Sequence, residues 1–148
     1  MSGVPPTLRG VVRGLHHVAI AVEKLDAYRT VYEHALGMQA LPIEFVPSQR
    51  VNVLVLFASG QRVELVEPVG DDSPIKNFLV KRGPGIHHLA WRVDDLVDAI
   101  AKLKAAGVKM IDDEPKPGSH GTKVAFAHPK ATGGVLMELV EDPNWSAH

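Results

Sequence analysis

The chain reads as an α+β protein: two tandem βαβββ modules pairing into one curved sheet, with helices outside and a metal-binding cleft within. Three observations predict this. Residues 16–25 return as residues 87–96, with five of ten positions identical at an offset of 71. Residues 63–67 return as residues 137–141. Each copy also runs through the same alternation of strand-like and helix-like hydrophobic periods. A unit of about seventy residues buries too little surface to be secure alone, so two copies sharing one core are the stable solution.

The elements follow in order. Residues 1–14 carry two adjacent prolines and no apolar core of a signal peptide, and are expected to be a flexible leader. Residues 15–148 are expected to form a single domain: module one over 15–69, a connecting helix over 73–82 and module two over 86–141. Residues 15–22 are short and rich in aliphatic side chains, a strand. Residues 23–36 place Leu25, Tyr28, Tyr32, Ala35 and Leu36 on one helical face, and Gly37 stops the helix. A poorly defined strand is expected near 38–43. Residues 51–57 and 62–66 form a hairpin turned at Ser59-Gly60. Ser73 and Pro74 suit the N-cap and first position of the connecting helix, whose stripe is Ile75, Phe78 and Leu79. The second copy repeats the order: a strand over 86–93, a helix capped by Asp94 and ended by Gly107, a short strand over 108–111, and strands over 123–127 and 135–140.

Composition excludes several classes of function. The net charge of −1 offers no basic surplus for nucleic acid. No apolar run approaches a membrane span. The absence of cysteine removes disulfides, thiolate metal ligands and a cysteine nucleophile, and agrees with a cytoplasmic address.

Each copy carries a His and, about fifty residues later, a Glu. Strand alternation puts His17 on a face with Ala19 and Ala21, and His88 on a face with Ala90. Small neighbours leave room above the sheet. Glu64 and Glu138 occupy equivalent places on the last strand of each copy. A lone strand His is more often a packed or surface residue than a ligand. Four such residues at repeat-equivalent positions point instead to one divalent ion held by His17, Glu64, His88 and Glu138. Co, Mn, Ni and Zn all accept imidazole and carboxylate together. His16 and His87 recur as well, but beside bulkier side chains. Glu67 and Glu141 recur on the opposite strand face.

The doubled module resembles the vicinal oxygen chelate superfamily, which includes glyoxalase I, extradiol dioxygenases and bleomycin-resistance proteins. The resemblance spans about residues 15–141 and rests on stretches 17–22, 63–75, 85–88, 113–115, 120–121, 128–130 and 133–138. Within the superfamily, the Asp72-Ser73-Pro74-Ile75 segment and the run from His120 to Glu138 resemble the methylmalonyl-CoA epimerase family. That resemblance implies interconversion of the two C2 epimers of an acyl-CoA, methylmalonyl-CoA, with the ligand positions on His17, Glu64, His88 and Glu138, and a homodimer. It also marks a departure: where certain members place an additional Glu as a second base, this chain has Val53.

The chemistry requires a proton to leave the carbon next to a carbonyl and return on the other face, with the enolate charge stabilised by a metal. Glu138 and its repeat partner Glu64 are the candidate catalytic bases. Lys123 and Lys130 are candidates for the CoA phosphates, and Ser119-His120-Gly121 for a turn beside the cleft. Three rivals use the same scaffold: a glyoxalase-type lactoylglutathione lyase, an extradiol dioxygenase, and a non-catalytic small-molecule-binding protein.

Overall fold

The computed structural model describes residues 10–145. Nine strands form one mixed sheet: β1 (Val12–Ala21), β2 (Gln39–Ala40), β3 (Glu44–Val46), β4 (Val51–Ala58), β5 (Gln61–Pro68), β6 (Gly85–Val93), β7 (Lys116–Pro117), β8 (Lys123–Ala127) and β9 (Met137–Glu141). The order is β2-β4-β5-β1-β6-β9-β8-β7, with β3 also on β4. The repeat is visible in the pairing. In module one β1 runs parallel to β5, which pairs antiparallel with β4. In module two β6 runs parallel to β9, which pairs antiparallel with β8. The two modules join where β1 lies antiparallel to β6, so the first strand of each copy forms the seam.

The helices are α1 (Asp26–Arg29), continued as a π-helical stretch Thr30–Ala35, then α2 (Pro74–Arg82) and α3 (Leu96–Ala105). Alternation along β4 sends Leu54 and Leu56 to the side covered by Leu25, Tyr28 and Tyr32. Val51, Val53 and Val55 go to the other side, where they meet Ile75 and Leu79 of α2. Thus α1 covers the outer face of module one as expected, and α2 closes part of the inner face. In module two Leu96, Ala99 and Ile100 of α3 pack on Val93, Ala125, Ala127 and Leu139. Ser73 caps α2 through its side chain, which accepts from the Ile75 N–H, with Pro74 at the first turn as expected.

Some boundaries differ from expectation. β1 begins at Val12, so residues 12–14 of the expected leader belong to the sheet, while residues 1–9 lie outside the described residues. The cap of α3 is Asp95, which accepts from the Asp98 N–H at 3.0 Å; Asp94 instead pairs with the Arg13 guanidinium at 2.7 Å. Of the region 38–43 only β2 (Gln39–Ala40) is strand, with β3 following from Glu44, and 108–111 reduces to one bridge between Met110 and Ala127. The second pair of duplicated glutamates, both half-buried, has a structural task. Glu67 accepts from the Leu25 N–H at 2.7 Å and from Asn52 Nδ2 at 3.0 Å, and Glu141 accepts from the Leu96 N–H at 2.9 Å. Each ties its own module's last strand to the N-terminus of that module's helix, where unpaired N–H groups need an acceptor. Among the described residues no helix is long and apolar enough to cross a membrane.

Candidate metal centre

Two alanines organise the site. Ala19 is the register partner of His88 across the seam and of Glu64 on the parallel side. Ala90 is the register partner of His17 and of Glu138. Register partners share a face, so all four polar side chains rise on the inner side above two methyl groups. Ala19 and Ala90 are both fully buried. Of the four polar residues, Glu64 is the most exposed, at 5%.

His17 Nε2 and His88 Nε2 each lie 3.3 Å from Glu138 Oε1. Both nitrogens are buried and neither has a hydrogen-bond partner. Two orphaned imidazole nitrogens converging on one carboxylate oxygen would be costly unless something else occupied the space between them. A divalent ion accepts that donor set, and ligand atoms of His17, His88 and Glu138 all lie within 4.8 Å of one another. Glu64 belongs to the adjoining group with His16 and His17. Its Oε2 accepts from Arg62 Nε at 3.1 Å and stands 3.2 Å from His17 Nδ1.

The electrostatics follow the same geometry. Burial works against a charged His17, but Glu64 and Glu138 outweigh it and hold the ring above its ordinary value. Burial pushes the Glu138 carboxyl up, but His88 and His17 hold it well below the usual carboxylate range. Two imidazoles thus favour an ionised Glu138, the form that ligates a metal.

The neighbouring histidines are part of the site. His16 Nδ1 meets His17 Nδ1 at 2.7 Å, and His87 Nδ1 meets His88 Nδ1 at 2.8 Å. Burial and the adjacent His17 push His16 down, while burial and His88 push His87 down to about 4. Alternation alone would turn His16 away from His17. The β1–β6 register shifts between Leu15 and His17, and that irregularity brings the two rings together. His16 Nε2 in turn meets Asp142 Oδ2 at 2.7 Å, and Arg62 Nη1 lies 3.6 Å from the same oxygen. Arg62 and Asp142 were not singled out in the sequence. The available signal was alternation: Arg62 shares a strand face with Glu64, and Asp142 continues the face of Glu138.

The cavity is closed by module two's turn at residues 118–122. Ser119 and Thr122, both buried, line it together with Val53, Val66 and Val124. Module one holds that turn from across the cavity. Glu44 Oε1 accepts from the His120 N–H at 2.9 Å, and Ser48 Oγ donates to the Pro117 carbonyl at 2.7 Å. His120 has the left-handed conformation φ 53, ψ 43, and Gly121 follows with φ 74. Of the residues expected to meet substrate, Ser119 therefore sits in the cavity wall. His120 faces an outer cleft with Arg62 and Asp142, Gly121 completes the turn, and Lys123 and Lys130 are exposed. A second, mostly apolar cleft of about 180 Å³ opens beside His88, walled by Val51, Ile75, Ile111, Phe126 and Leu136, with Lys116 among its lining residues.

Known proteins share this arrangement of chain and fold. Residues 16–126 match the model of the Glyoxalase/Bleomycin resistance protein/Dioxygenase superfamily. The chain is 40% identical over 127 residues to an ethylmalonyl-CoA/methylmalonyl-CoA epimerase of Cereibacter sphaeroides, covering 84% of this chain and 95% of the relative. The methylmalonyl-CoA epimerase structure from Mycobacterium tuberculosis superposes with a TM-score of 0.86 at 38% identity, covering 90% of each chain. A methylmalonyl-CoA epimerase in complex with methylmalonyl-CoA and ammonium superposes with a TM-score of 0.85 at 31% identity, covering 93% of this chain and 99% of the other. The chain therefore belongs to the Glyoxalase/Bleomycin resistance protein/Dioxygenase superfamily and, within it, to the methylmalonyl-CoA epimerase family.

Proposed function

We propose that this protein interconverts the (R) and (S) forms of methylmalonyl-CoA by proton transfer at C2, with a divalent ion of the Co, Mn, Ni or Zn type in the centre described above. The observation that carries the reading is the convergence of His17 Nε2 and His88 Nε2, both buried and unpartnered, on Glu138 Oε1 at 3.3 Å, in a chain about 40% identical to named epimerases. His17, His88 and Glu138 would hold the ion, with Glu64 as a fourth ligand within reach of His17. Bound there, such an ion would supply Lewis-acid stabilisation of the negative charge that develops on the thioester oxygen as the C2 proton leaves.

The chain's own residues do the rest. The valines and the buried Ser119 and Thr122 of the turn at 118–122 keep bulk water from the reacting carbon. The apolar cleft beside His88 suits the pantetheine arm of an acyl-CoA, with the adenosine end toward solvent. Glu138 and Glu64 rise from equivalent strands on either side of the seam, which suits them to serve the two faces of C2. Arg62 fixes the carboxylate of Glu64, so that group is held in place before substrate arrives. A cytoplasmic homodimer completes the reading.

The test is solvent-deuterium exchange at C2 of methylmalonyl-CoA, with and without chelator, beside an assay of hemithioacetal isomerisation. Exchange that chelation abolishes and metal restores supports the proposal. Isomerisation of the hemithioacetal without C2 exchange points to a lactoylglutathione lyase, and tight binding without turnover to a binding protein. Glu138→Gln separates base from ligand: exchange lost with metal retained supports a base, and exchange retained with metal retained removes that role.

A further inference from the structure

The two modules supply equivalent histidines to the centre, yet they anchor them differently. Behind His17 stands a buried chain of groups: His17 Nδ1 to His16 Nδ1 at 2.7 Å, then His16 Nε2 to Asp142 Oδ2 at 2.7 Å. The His16 side chain is 1% exposed and that of Asp142 5%. Arg62, itself 7% exposed, stands beside Asp142 at 3.6 Å and holds Glu64 at 3.1 Å, which returns the chain to His17. Trp145 covers the His16 ring at 5.4 Å between centroids. Behind His88, among the described residues, His87 is the one hydrogen-bonding partner of the ring, packed edge-on against Phe78 at 5.0 Å. The offset of 74 that relates Glu64 to Glu138 relates Asp142 to Pro68 and Arg62 to Leu136, so module two and module one have no matching network.

We propose that Asp142, acting through His16, is a positioning residue that holds His17 in the one tautomer able to ligate a metal through Nε2, and that this anchor exists on the His17 side only. The inference rests on the metal reading above. Its logic is a count of protons. A carboxylate only accepts, so the His16 nitrogen facing Asp142 must carry a proton. With that proton at Nε2, a neutral His16 has a bare Nδ1, which can only accept. His17 Nδ1 must then carry the proton between the two rings, and His17 Nε2 is left with its lone pair directed at Glu138 and the site. Ligating imidazoles are commonly oriented by a carboxylate or carbonyl on the far nitrogen. Here a second imidazole is interposed, and the carboxylate comes from the other module. Asp142 follows β9 immediately, so the centre's orientation depends on the two modules being docked.

The consequence is unequal. His17 is locked by a chain that ends in a charge, whereas the His87–His88 contact leaves either ring free to donate. Removing Asp142 should therefore weaken metal binding, although its side chain lies outside the candidate ligand set.

The experiment compares wild type, Asp142→Asn and His87→Asn as purified metal-free proteins titrated with Co(II) against a chromogenic chelator. Loss of an outer-shell partner typically costs about 10–100-fold in metal affinity. That loss is expected for Asp142→Asn, with an altered Co(II) absorption spectrum, while His87→Asn should lose clearly less than Asp142→Asn. Equal affinity for wild type and Asp142→Asn, with both folded, would overturn the proposal and leave the metal reading intact. No Co(II) binding by wild type would overturn the metal reading and the proposal with it. Should Asp142→Asn not fold, nitrogen-15 NMR of the histidine rings in zinc-loaded wild type decides alone. Protons at His16 Nε2 and His17 Nδ1 support the proposal, and the reverse pair refutes it.

Discussion

The duplicated glutamates allow one sharp experiment, because the structure assigns the two pairs opposite tasks. Glu64 and Glu138 face the centre; Glu67 and Glu141 face the helices. Consider Glu67→Ala and Glu141→Ala. The first loses two hydrogen bonds to a carboxylate, from the Leu25 N–H at 2.7 Å and from Asn52 at 3.0 Å. The second loses one, from the Leu96 N–H at 2.9 Å, at a helix that keeps its Asp95 cap. Hydrogen bonds to charged groups contribute about 1.5–3 kcal/mol each. Both glutamates are only partly buried, so water replaces some of what is lost. The lower end of that range applies: about 3 kcal/mol for Glu67→Ala and about 1.5 kcal/mol for Glu141→Ala. For a chain of this length each kcal/mol shifts the melting temperature by about 2–4 °C. Glu67→Ala should therefore melt roughly 6–12 °C lower and Glu141→Ala about half as far. Both should keep one metal per chain at 25 °C, whereas Glu138→Ala should lose metal. The assay is chemical and thermal denaturation beside metal content. Loss of metal from Glu67→Ala at a temperature where it is folded, or equal destabilisation by the two, would refute the division of labour.

Three further outcomes are expected. Ala90→Val adds two methyl groups at a fully buried position between His17 and Glu138; overpacking of this kind costs about 1–3 kcal/mol, and the expected result is a folded protein with much reduced metal uptake by equilibrium dialysis. Gly118→Ala places a Cβ 2.5 Å from Thr122 Oγ1 and 2.8 Å from Val124 Cγ1; the turn carrying Ser119 must shift, so KM for the acyl-CoA should rise while metal content stays unchanged. The third concerns acid. His87 is held down to about 4 by burial and His88, against an ordinary 6.5. As pH falls below 6.5 the unfolded chain binds this proton before the folded one, so stability is full above 6.5 and declines toward 4. The decline attributable to this ring is at most about 3 kcal/mol. Denaturant midpoints of metal-free wild type and His87→Phe between pH 7 and 4 check it: the two profiles should diverge in that window, and parallel profiles would remove His87 as the cause.

Much of this protein was legible in one dimension. The repeat determined the doubled topology, because two copies of one pattern fold alike and neither is large enough to stand alone. Period-2 alternation placed His17, His88, Glu64 and Glu138 on one face and Glu67 and Glu141 on the other, since strand side chains point up and down by turns. The alanines that leave space for a ligand could be read there too. What the sequence could not determine is everything that depends on which strands become neighbours. Ala19 opposing both His88 and Glu64, and Ala90 opposing both His17 and Glu138, is a property of the seam between modules. His16 joins His17 because the register slips by a residue at that point. Asp142 and Arg62 meet because β5 and the end of β9, which flank that seam on opposite sides, turn their side chains to the same inner face of the sheet, 80 residues apart in the chain. Local pattern sets which face a side chain takes. Only docking of the two modules decides which side chains on that face come within 3 Å or so of each other, because hydrogen bonds and metal–ligand bonds require that approach and periodicity carries no information about it.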